Sequence, residues 1–238
     1  MKSDPLLQPY ILKHLKIKNR LMTSAHEPSY AEEGMPKERY RNYHAERAKG
    51  GLGLTMTAGS AIVSPDSPST FGNLHAYRDE IIPWLKKLTS ECHDYGSKVM
   101  IQITHLGRRT NWNHSDWLPV LSASEIREPA HRAFPKEAED WDISRIINDY
   151  ADAACRMKDA NMDGIEIEAY GHFLDSFWSP ATNKRIDEYG GNLKNRIKFS
   201  LDVINAIRKS VGTDFIVGIR MVADEDWDKG LTKEDGMW

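Results

Sequence analysis

Segments typical of strands and of helices alternate along the whole chain, and this alternation restricts the fold more than any other feature. Apolar residues spaced three and four apart predict helices, and short apolar runs between glycines predict buried strands. The predicted strands are residues 20–25, 51–59, 98–104, 164–168 and 215–220. The predicted helices are residues 37–48, 81–95, 143–161 and 197–211. Strands connected through helices form parallel sheets, so the chain is predicted to be an α/β protein.

The strand at residues 164–168 has one apolar and one acidic face. Side chains alternate along a strand, so Ile165 and Ile167 share one face and Glu166 and Glu168 share the other. A doubly wound sheet carries helices on both faces, and it would bury the two carboxylates at high cost. A barrel instead has its active site inside the C-terminal rim. The pattern therefore favours a (β/α)8 TIM barrel.

Five predicted strands are too few to close such a barrel. An eight-stranded barrel usually takes roughly 250 residues or more, and this chain has 238 residues. We therefore expect residues 1–238 to be the N-terminal part of a single barrel domain, truncated after about the fifth strand. The alternative is a stable domain that is not a barrel, or a non-catalytic half-barrel whose open strand edges bind a partner.

Composition excludes several classes of protein. The formal net charge is −3, so no overall field attracts nucleic acid. No apolar run reaches the length of a membrane span, and the N-terminus lacks the apolar core of a signal peptide. Cys92 and Cys155 lie far apart, each in a predicted helix, so we expect two buried thiols rather than a disulfide. No metal site is predicted. We expect a cytoplasmic protein that acts on a small molecule, and leave a homo-oligomer open.

Three stretches resemble the old yellow enzyme family of flavin oxidoreductases. Residues 18–26 (KNRLMTSAH) are similar to the opening strand of the family, and residues 102–108 (QITHLGR) to its third strand and loop. Residues 179–196 (SPATNKRIDEYGGNLKNR) match a long family signature almost position for position. The resemblance covers the chain from about residue 6. It implies a TIM barrel that binds FMN across its rim.

The resemblance assigns six residues to the flavin site. Their backbone or side chains end the first, second, third and fifth predicted strands: Ser24, Ala25, His26, Ala58, Gln102 and Arg220. The amide of Gln102 can donate and accept, which suits the pyrimidine edge of a flavin. Arg220 would stabilise negative charge on the reduced ring. An internal ion pair of Arg220 with Glu166 or Glu168 is the alternative.

The segment after the fourth predicted strand departs from the usual pattern of the family. Glu168 stands where the family carries its first substrate-binding histidine, and Tyr170 roughly where it carries the second. His172 stands where related dienoyl-CoA reductases carry a proton-donating tyrosine. A carboxylate attracts a cation rather than donating to a carbonyl oxygen. The segment is closer to the branch of trimethylamine dehydrogenase and the N-methyl amino acid demethylases.

This branch implies oxidation of a methylated amine. We expect Glu168 to hold the amine, an N-methyl hydride to pass to flavin N5, and His172 and Tyr170 to handle the proton. Glu27 replaces the cysteine that binds flavin covalently in trimethylamine dehydrogenase, so no such bond is expected. Glu27 is a candidate for substrate binding or a solvated surface residue. Tyr30 and Trp178 are candidates for an aromatic surround of the ammonium, or are ordinary packing.

Two alternatives to the oxidation of a methylated amine remain. One is an NAD(P)H-dependent reductase of activated C=C bonds, similar to 2,4-dienoyl-CoA reductases. The other is the non-catalytic half-barrel. Members of the amine branch often continue into an iron–sulfur segment and a second nucleotide-binding domain. The resemblance therefore implies a 4Fe-4S cluster and a second nucleotide cofactor in a longer form of the protein, although no cysteine-rich motif is present here.

Overall fold

The fold is known from a computed structural model, which describes residues 4–67, 69–70, 72–109, 119–130, 132–226 and 228–237. The strands are β1 (Tyr10–Leu12), β2 (Leu15–Ile17), β3 (Leu54–Ile62), β4 (Lys98–Thr104), β5 (Leu121–Ser122), β6 (Lys136–Glu137), β7 (Gly164–Ala169) and β8 (Ile216–Met221). The helices are α1 (Glu38–Lys49), α2 (Ile81–Asp94), α3 (Asp140–Asp159), α4 (Phe173–Ser176), α5 (Leu193–Arg196), α6 (Lys198–Val211) and α7 (Lys233–Met237).

One parallel sheet organises the molecule. Its strand order is β3-β4-β7-β8, and each neighbouring pair is parallel. Helix α2 connects β3 to β4, α3 lies between β4 and β7, and α6 precedes β8. The predicted α/β class and parallel sheet are therefore confirmed.

The first predicted strand is present only as an irregular neighbour of β3. Met22 forms a parallel bridge with Leu54, and Thr23 N donates to Leu54 O at 3.2 Å. The next amide, Met56 N, donates to the hydroxyl of Thr23 rather than to a backbone carbonyl. This side-chain substitution interrupts the ladder, which explains why a regular strand at residues 20–25 is not seen.

The two faces of the sheet have different partners. Ile165 and Ile167 are fully buried in the main core, which α1, α2, α3 and α6 share. On the opposite face a second cluster closes the N-terminal end of the sheet; its buried members are Leu15, Ile17, Leu54, Met56, Met100 and Ile216. The hairpin of β1 and β2 supplies two of these residues. The predicted alternation along β7 is confirmed.

Helix α3 begins earlier than its periodicity predicts. Its N-cap is Glu139, and Asp142 occupies the third helical position, where its Oδ2 accepts from Glu139 N at 3.0 Å. The two residues form a capping box, which satisfies donors at both ends of the first turn. Between β4 and α3 the structure also forms the short parallel pair of β5 and β6.

The face of the sheet that carries the second cluster opens into a groove of about 600 Å³. This groove reaches from Arg20 and Met22 to Gly218 on β8. The thiols of Cys92 and Cys155 are free, and Cys92 is buried in α2. Among the described helices, none has both the length and the apolar character that crossing a bilayer requires.

Candidate active site

A bulge near the end of β3 begins the site. The pairing of β3 with β4 shifts register between Thr57 and Ala61. Ala58 and Ser60 have φ values of 54° and 79°, a left-handed region that non-glycine residues seldom occupy. The hydroxyl of Tyr40 on α1 accepts from Ala58 N at 2.9 Å, and this hydrogen bond stabilises the bulge. Such positive φ values are concentrated at functional sites.

The bulge directs Ser60 towards the end of β7. Ser60 Oγ donates to Glu168 Oε2 at 2.6 Å. The same Glu168 oxygen lies 3.3 Å from Nδ1 of His172, which is also 3.2 Å from the hydroxyl of Thr104 on β4. Glu168 is 8% exposed and His172 7% exposed. Three strand ends thus converge on one buried carboxylate and one buried imidazole.

The charge of Glu168 is stabilised by its neighbours. Burial raises the pKa of this carboxyl, but the hydrogen bond and charge of His172, the Ser60 hydroxyl and the charge of Arg220 outweigh burial. The pKa of Glu168 is therefore lowered below its usual value. At neutral pH the site contains an ionised carboxylate, which suits a cationic ligand.

The contacts of His172 also select its tautomer. Nδ1 faces the ionised Glu168, so this nitrogen carries the proton in the neutral ring. Nε2 is the ring nitrogen that contacts neither Glu168 nor Thr104, and in this tautomer it carries the lone pair. A carboxylate that orients an imidazole in this way favours general-base chemistry.

Gln102, Glu166 and Arg220 lie on the same face of the sheet as Glu168. Gln102 pairs with Glu166 in register, and Glu168 pairs with Arg220. Gln102 Nε2 donates to Glu166 Oε1 at 2.7 Å, and its Oε1 accepts from Ser60 N at 3.2 Å. Burial raises the pKa of Glu166, while Gln102 and Arg220 partly oppose that rise.

Arg220 differs from its expected environment. We expected the guanidinium to face inward at the end of the fifth strand, where it would meet an anion if buried; the residue is exposed on β8, the edge strand of the described sheet. Among the described residues, no carboxylate lies within ion-pair distance of it, although its charge still acts on Glu166 and Glu168. The guanidinium is thus available to an anionic group.

The ends of the first two predicted strands meet closely. A side chain at Gly59 would come within 2.7 Å of the backbone nitrogen of Glu27 and 3.1 Å of the carbonyl carbon of His26. Ala25 packs against the second cluster, while Ser24 and His26 are exposed. The absence of a Cβ at Gly59 therefore permits this approach, which places the backbone of His26 and Glu27 beside Gly59.

Glu27 is enclosed rather than solvated. Its Oε1 accepts from Ser29 N at 2.9 Å, but its Oε2 is buried without a hydrogen-bond partner. Burial, opposed by the backbone amides of Ser29 and Gly59, raises the pKa of Glu27 to about 8. One oxygen of this carboxyl is therefore withdrawn from solvent, and at neutral pH the carboxyl is mainly protonated.

The expected aromatic surround is not assembled. Trp178 is 6% exposed in the main core, where Nε1 donates to Ser200 Oγ at 2.6 Å. The ring of Tyr30 is covered by the Arg39 guanidinium at 3.7 Å. Both aromatics therefore have partners within the protein. Core packing, the alternative for Trp178, is what the structure has.

Tyr170 and His172 do not form the expected pair. Tyr170 is 49% exposed, and the guanidinium of Arg109 lies 5.2 Å from the centre of its ring. His172 contacts Glu168 and Thr104 instead. The chain turns between the two residues at Gly171, whose φ is 74°. This turn places Tyr170 at the rim and His172 inside.

The signature at residues 179–196 stabilises the loops beneath the site. Asn183 Nδ2 donates to the carbonyls of Phe177 and Tyr189, both at 2.7 Å. Arg185 Nη1 donates to the carbonyls of Ala123 and Ala138 at 3.2 and 2.7 Å. In the part of the chain that the structure describes, these signature residues therefore stabilise loops.

Two site residues, Ser60 and Thr104, were not predicted. Serine and threonine in a strand carry no signal of their own, and the two-residue register shift that turns Ser60 inward is invisible to a period of two. The positive φ of a non-glycine residue gives no compositional cue. The one signal in the sequence that could have indicated Ser60 is its position directly after Gly59.

The residues present fit an FMN ring in their chemistry. The amide of Gln102 offers a donor and an acceptor, and Arg220 offers a cation on the same face. The close approach at Gly59 provides backbone at the ends of two adjacent strands. Within the described ranges, no group of His, Cys, Asp and Glu side chains is arranged to hold a metal ion.

Comparisons with known proteins agree on one family. The model of the NADH:flavin oxidoreductase / NADH oxidase family matches residues 5–237. A probable N-methylproline demethylase of Rhizobium meliloti (strain 1021) is 60% identical over 237 residues, which are 100% of this chain and 35% of that protein. An N,N-dimethylglycine/sarcosine dehydrogenase of Chromohalobacter salexigens is 45% identical over 99% of this chain and 34% of that protein.

Solved structures agree on the fold. The complex of a 2-naphthoyl-CoA reductase with 2-naphthoyl-CoA has a TM-score of 0.90 and 25% identity, over 98% of this chain and 37% of that chain. The chain spans about a third of the length of the relatives it matches.

Proposed function

The chain belongs to the NADH:flavin oxidoreductase / NADH oxidase family, and on this basis we propose that it is part of an FMN-dependent enzyme that oxidatively demethylates an N-methyl amino acid. The resemblance to the old yellow enzyme family, near its demethylase branch, is confirmed. The observation that carries the proposal is the buried, ionised Glu168 beside Nδ1 of His172. Together they provide a site for a cation and a base for its proton.

The proposal includes the fold and the cofactor. The four-stranded sheet and its irregular neighbour are an arc of a (β/α)8 barrel, and residues 1–238 belong to one FMN-binding domain. FMN is held by the backbone at Ser24, Ala25, His26 and Ala58, by the Gln102 amide and by the Arg220 cation. When bound, FMN supplies the acceptor for a hydride. A 4Fe-4S cluster and a second nucleotide cofactor belong to the proposal only for a longer form.

Glu168 and His172 prepare the amine. A protonated tertiary amine has no lone pair to stabilise the carbon from which a hydride leaves, so its proton must be removed first. His172 Nε2 takes that proton, and the ionised Glu168 at Nδ1 stabilises the imidazolium that forms. The negative charge of Glu168 attracts the ammonium before this step.

In the second half of the reaction the proton on His172 returns to the amine nitrogen as the C–N bond breaks. Loss of hydride from the N-methyl carbon leaves an iminium, and water adds to its carbon. Collapse of the adduct breaks the C–N bond and releases formaldehyde, the secondary amine and one proton. The burial of His172 and Thr104 keeps their hydrogen-bonded geometry fixed throughout. Tyr170 is proposed to border the substrate from the rim.

Formaldehyde release by the full-length, FMN-loaded protein tests this function. With N-methylproline, we expect turnover in the parent and a loss of at least 10-fold in Glu168→Gln, because the neutral amide stabilises neither the ammonium nor the imidazolium. Glu234→Gln, an exposed carboxylate on α7, is the matched control and should behave as the parent. Unchanged turnover in Glu168→Gln would end the proposal.

The second candidate is NAD(P)H-dependent reduction of an activated C=C bond. A protonated His172 can donate from Nε2 to a carbonyl oxygen, and one similar structure is named as a reductase of an aromatic CoA ester. An assay with NADH or NADPH and an enone separates the two candidates. Reduction of the enone without formaldehyde from any N-methyl amine would favour the reductase.

A further inference from the structure

The guanidinium of Arg109 lies at the rim of the site, against the turn at Tyr170 and Gly171. Arg109 follows β4, and its Nη1 donates to the carbonyl of Tyr170 at 3.2 Å. A side chain at Gly171 would collide with this guanidinium. The cation therefore contacts the backbone turn that leads directly into His172.

The guanidinium has unused donors. Its charge lies over the ring of Tyr170, and one terminal nitrogen is engaged by a carbonyl. Across the described residues, neither Nε nor Nη2 of Arg109 has a hydrogen-bond partner, and no carboxylate lies within ion-pair distance. The edge formed by these two nitrogens is the fork that matches a carboxylate with two parallel hydrogen bonds.

The preceding arginine makes a useful contrast. Arg108 Nη1 donates to the carbonyls of Ile126 and Arg127 at 2.7 and 3.1 Å, so its guanidinium stabilises a neighbouring loop. Burial lowers the pKa of Arg108, and nearby carboxylates, Glu128 first, oppose that effect. Among the described residues, Arg109 donates to neither of these carbonyls and forms no ion pair, so its contacts leave two of its nitrogens free to bind a ligand.

We infer that Arg109 binds the carboxylate of the N-methyl amino acid, an inference that rests on the proposed function. An N-methyl amino acid is a zwitterion, and Glu168 and Arg109 offer opposite charges on either side of the turn at Tyr170 and Gly171. The ammonium faces Glu168 and His172, and the carboxylate faces the fork of Arg109. The ring of Tyr170 holds the guanidinium in place.

A pair of substrates isolates the carboxylate. N-methylproline and N-methylpyrrolidine share the methylated ring nitrogen, but only the first carries a carboxylate. In the full-length, FMN-loaded enzyme, Arg109→Met should raise KM for N-methylproline about 10- to 100-fold, since hydrogen bonds between charged groups contribute about 1.5–3 kcal/mol. It should leave kcat nearly unchanged and KM for N-methylpyrrolidine unaffected. Arg109→Lys should recover part of the loss.

Arg127→Met is the matched control. Arg127 also donates to a backbone carbonyl, that of Arg132 at 3.3 Å, and lies over an aromatic ring, that of Phe134 at 5.1 Å. The control should keep the parent KM for both substrates. Calorimetric binding of proline, the demethylated product, should show the same loss in Arg109→Met alone.

The outcomes separate the two hypotheses. Equal effects of Arg109→Met on both substrates, or no effect on either in an enzyme that releases formaldehyde, would overturn the role of Arg109 and leave the proposed function standing. If the parent enzyme releases no formaldehyde from either substrate, the proposed function fails, and this inference fails with it.

Discussion

The hydroxyl of Ser60 donates to Glu168 Oε2 at 2.6 Å, although the two residues are separated by 108 positions in the chain. The contact exists because β3 bulges at Ala58 to Ser60 and because Ser60 adopts a φ of 79°. A non-glycine residue in this region costs roughly 1–3 kcal/mol, and it keeps that conformation only where the surrounding structure fixes it. The backbone near the end of β3 thus accepts strain in order to aim a donor at the carboxylate.

Removing that donor should reduce activity mainly at low pH. Ser60→Ala and Ser60→Gly both delete the hydroxyl, which helps to lower the pKa of Glu168, so this pKa should rise. We expect a loss of roughly 10-fold in kcat/KM, as for a hydrogen bond to a charged group, and an acid limb of the pH profile displaced to higher pH.

The two variants separate strain from chemistry. Glycine adopts a positive φ without cost, so Ser60→Gly should be more stable than Ser60→Ala, by about 1 kcal/mol. Their pH profiles should nevertheless coincide. Profiles identical to that of the parent in both variants would mean that Ser60 does not act on Glu168.

Periodicity was sufficient to predict the sheet but not the bulge. The alternation at residues 164–168 correctly placed Ile165 in the core and Glu168 on the opposite face, because a strand has only two faces. The same reasoning failed at residues 20–25, where a threonine hydroxyl replaces a backbone acceptor. It also failed at Ser60, where two inserted residues change the register.

The site was predicted in part for similar reasons. Glu168 and His172 were identified from their position after the fourth predicted strand, but their direct contact depends on the turn at Gly171. Trp178 was assigned to the substrate because aromatic residues suit ammonium groups. Its indole instead has a hydrogen-bond partner in the core, and a single sequence gives no sign of which partner an aromatic side chain will find.

The buried carboxyl of Glu27 should make the protein less stable as the pH rises from 4.5 towards 8. Burial raises its pKa in the folded protein from 4.5 to about 8. The folded state therefore holds a proton that the unfolded state has released between these values, so stability declines as pH rises from 4.5 towards 8. Glu27→Gln, which resembles the protonated form, should be more stable than the parent at pH 9, by roughly 3 kcal/mol.

Chemical denaturation at several pH values measures this difference. The gain should fade as the pH falls towards 4.5, where Glu27 is protonated in both states. Glu125→Gln, at an exposed carboxylate, is the control and should show no pH-dependent gain. A Glu27→Gln variant that is less stable than the parent at pH 9 would show that the ionised carboxylate has a partner.

Arg185 should be required for stability rather than for catalysis. Its Nη1 donates to the carbonyls of Ala123 and Ala138, which come from two different loop segments, and its side chain is 4% exposed. A lysine cannot span both carbonyls and Asp187 with one ammonium group. We expect Arg185→Lys to lower the free energy of unfolding by about 2–3 kcal/mol. At a temperature where the variant is folded, kcat and KM should match those of the parent; a tenfold loss in kcat there would contradict the structural role.

Trp178, which the sequence had suggested for substrate binding, should contribute to stability instead. Its Nε1 donates to Ser200 Oγ at 2.6 Å, and both residues are buried. Trp178→Phe keeps most of the apolar volume but leaves the Ser200 hydroxyl without this donor, so we expect a loss of about 1–2 kcal/mol. Trp178→Phe combined with Ser200→Ala should cost less than the sum of the two single changes, because neither polar group is then left unpaired. Denaturation of all four proteins measures the coupling. KM for N-methylproline should stay the same in each of them, since the indole lies in the helix-covered core. A rise in KM without a loss of stability would instead place Trp178 against the substrate.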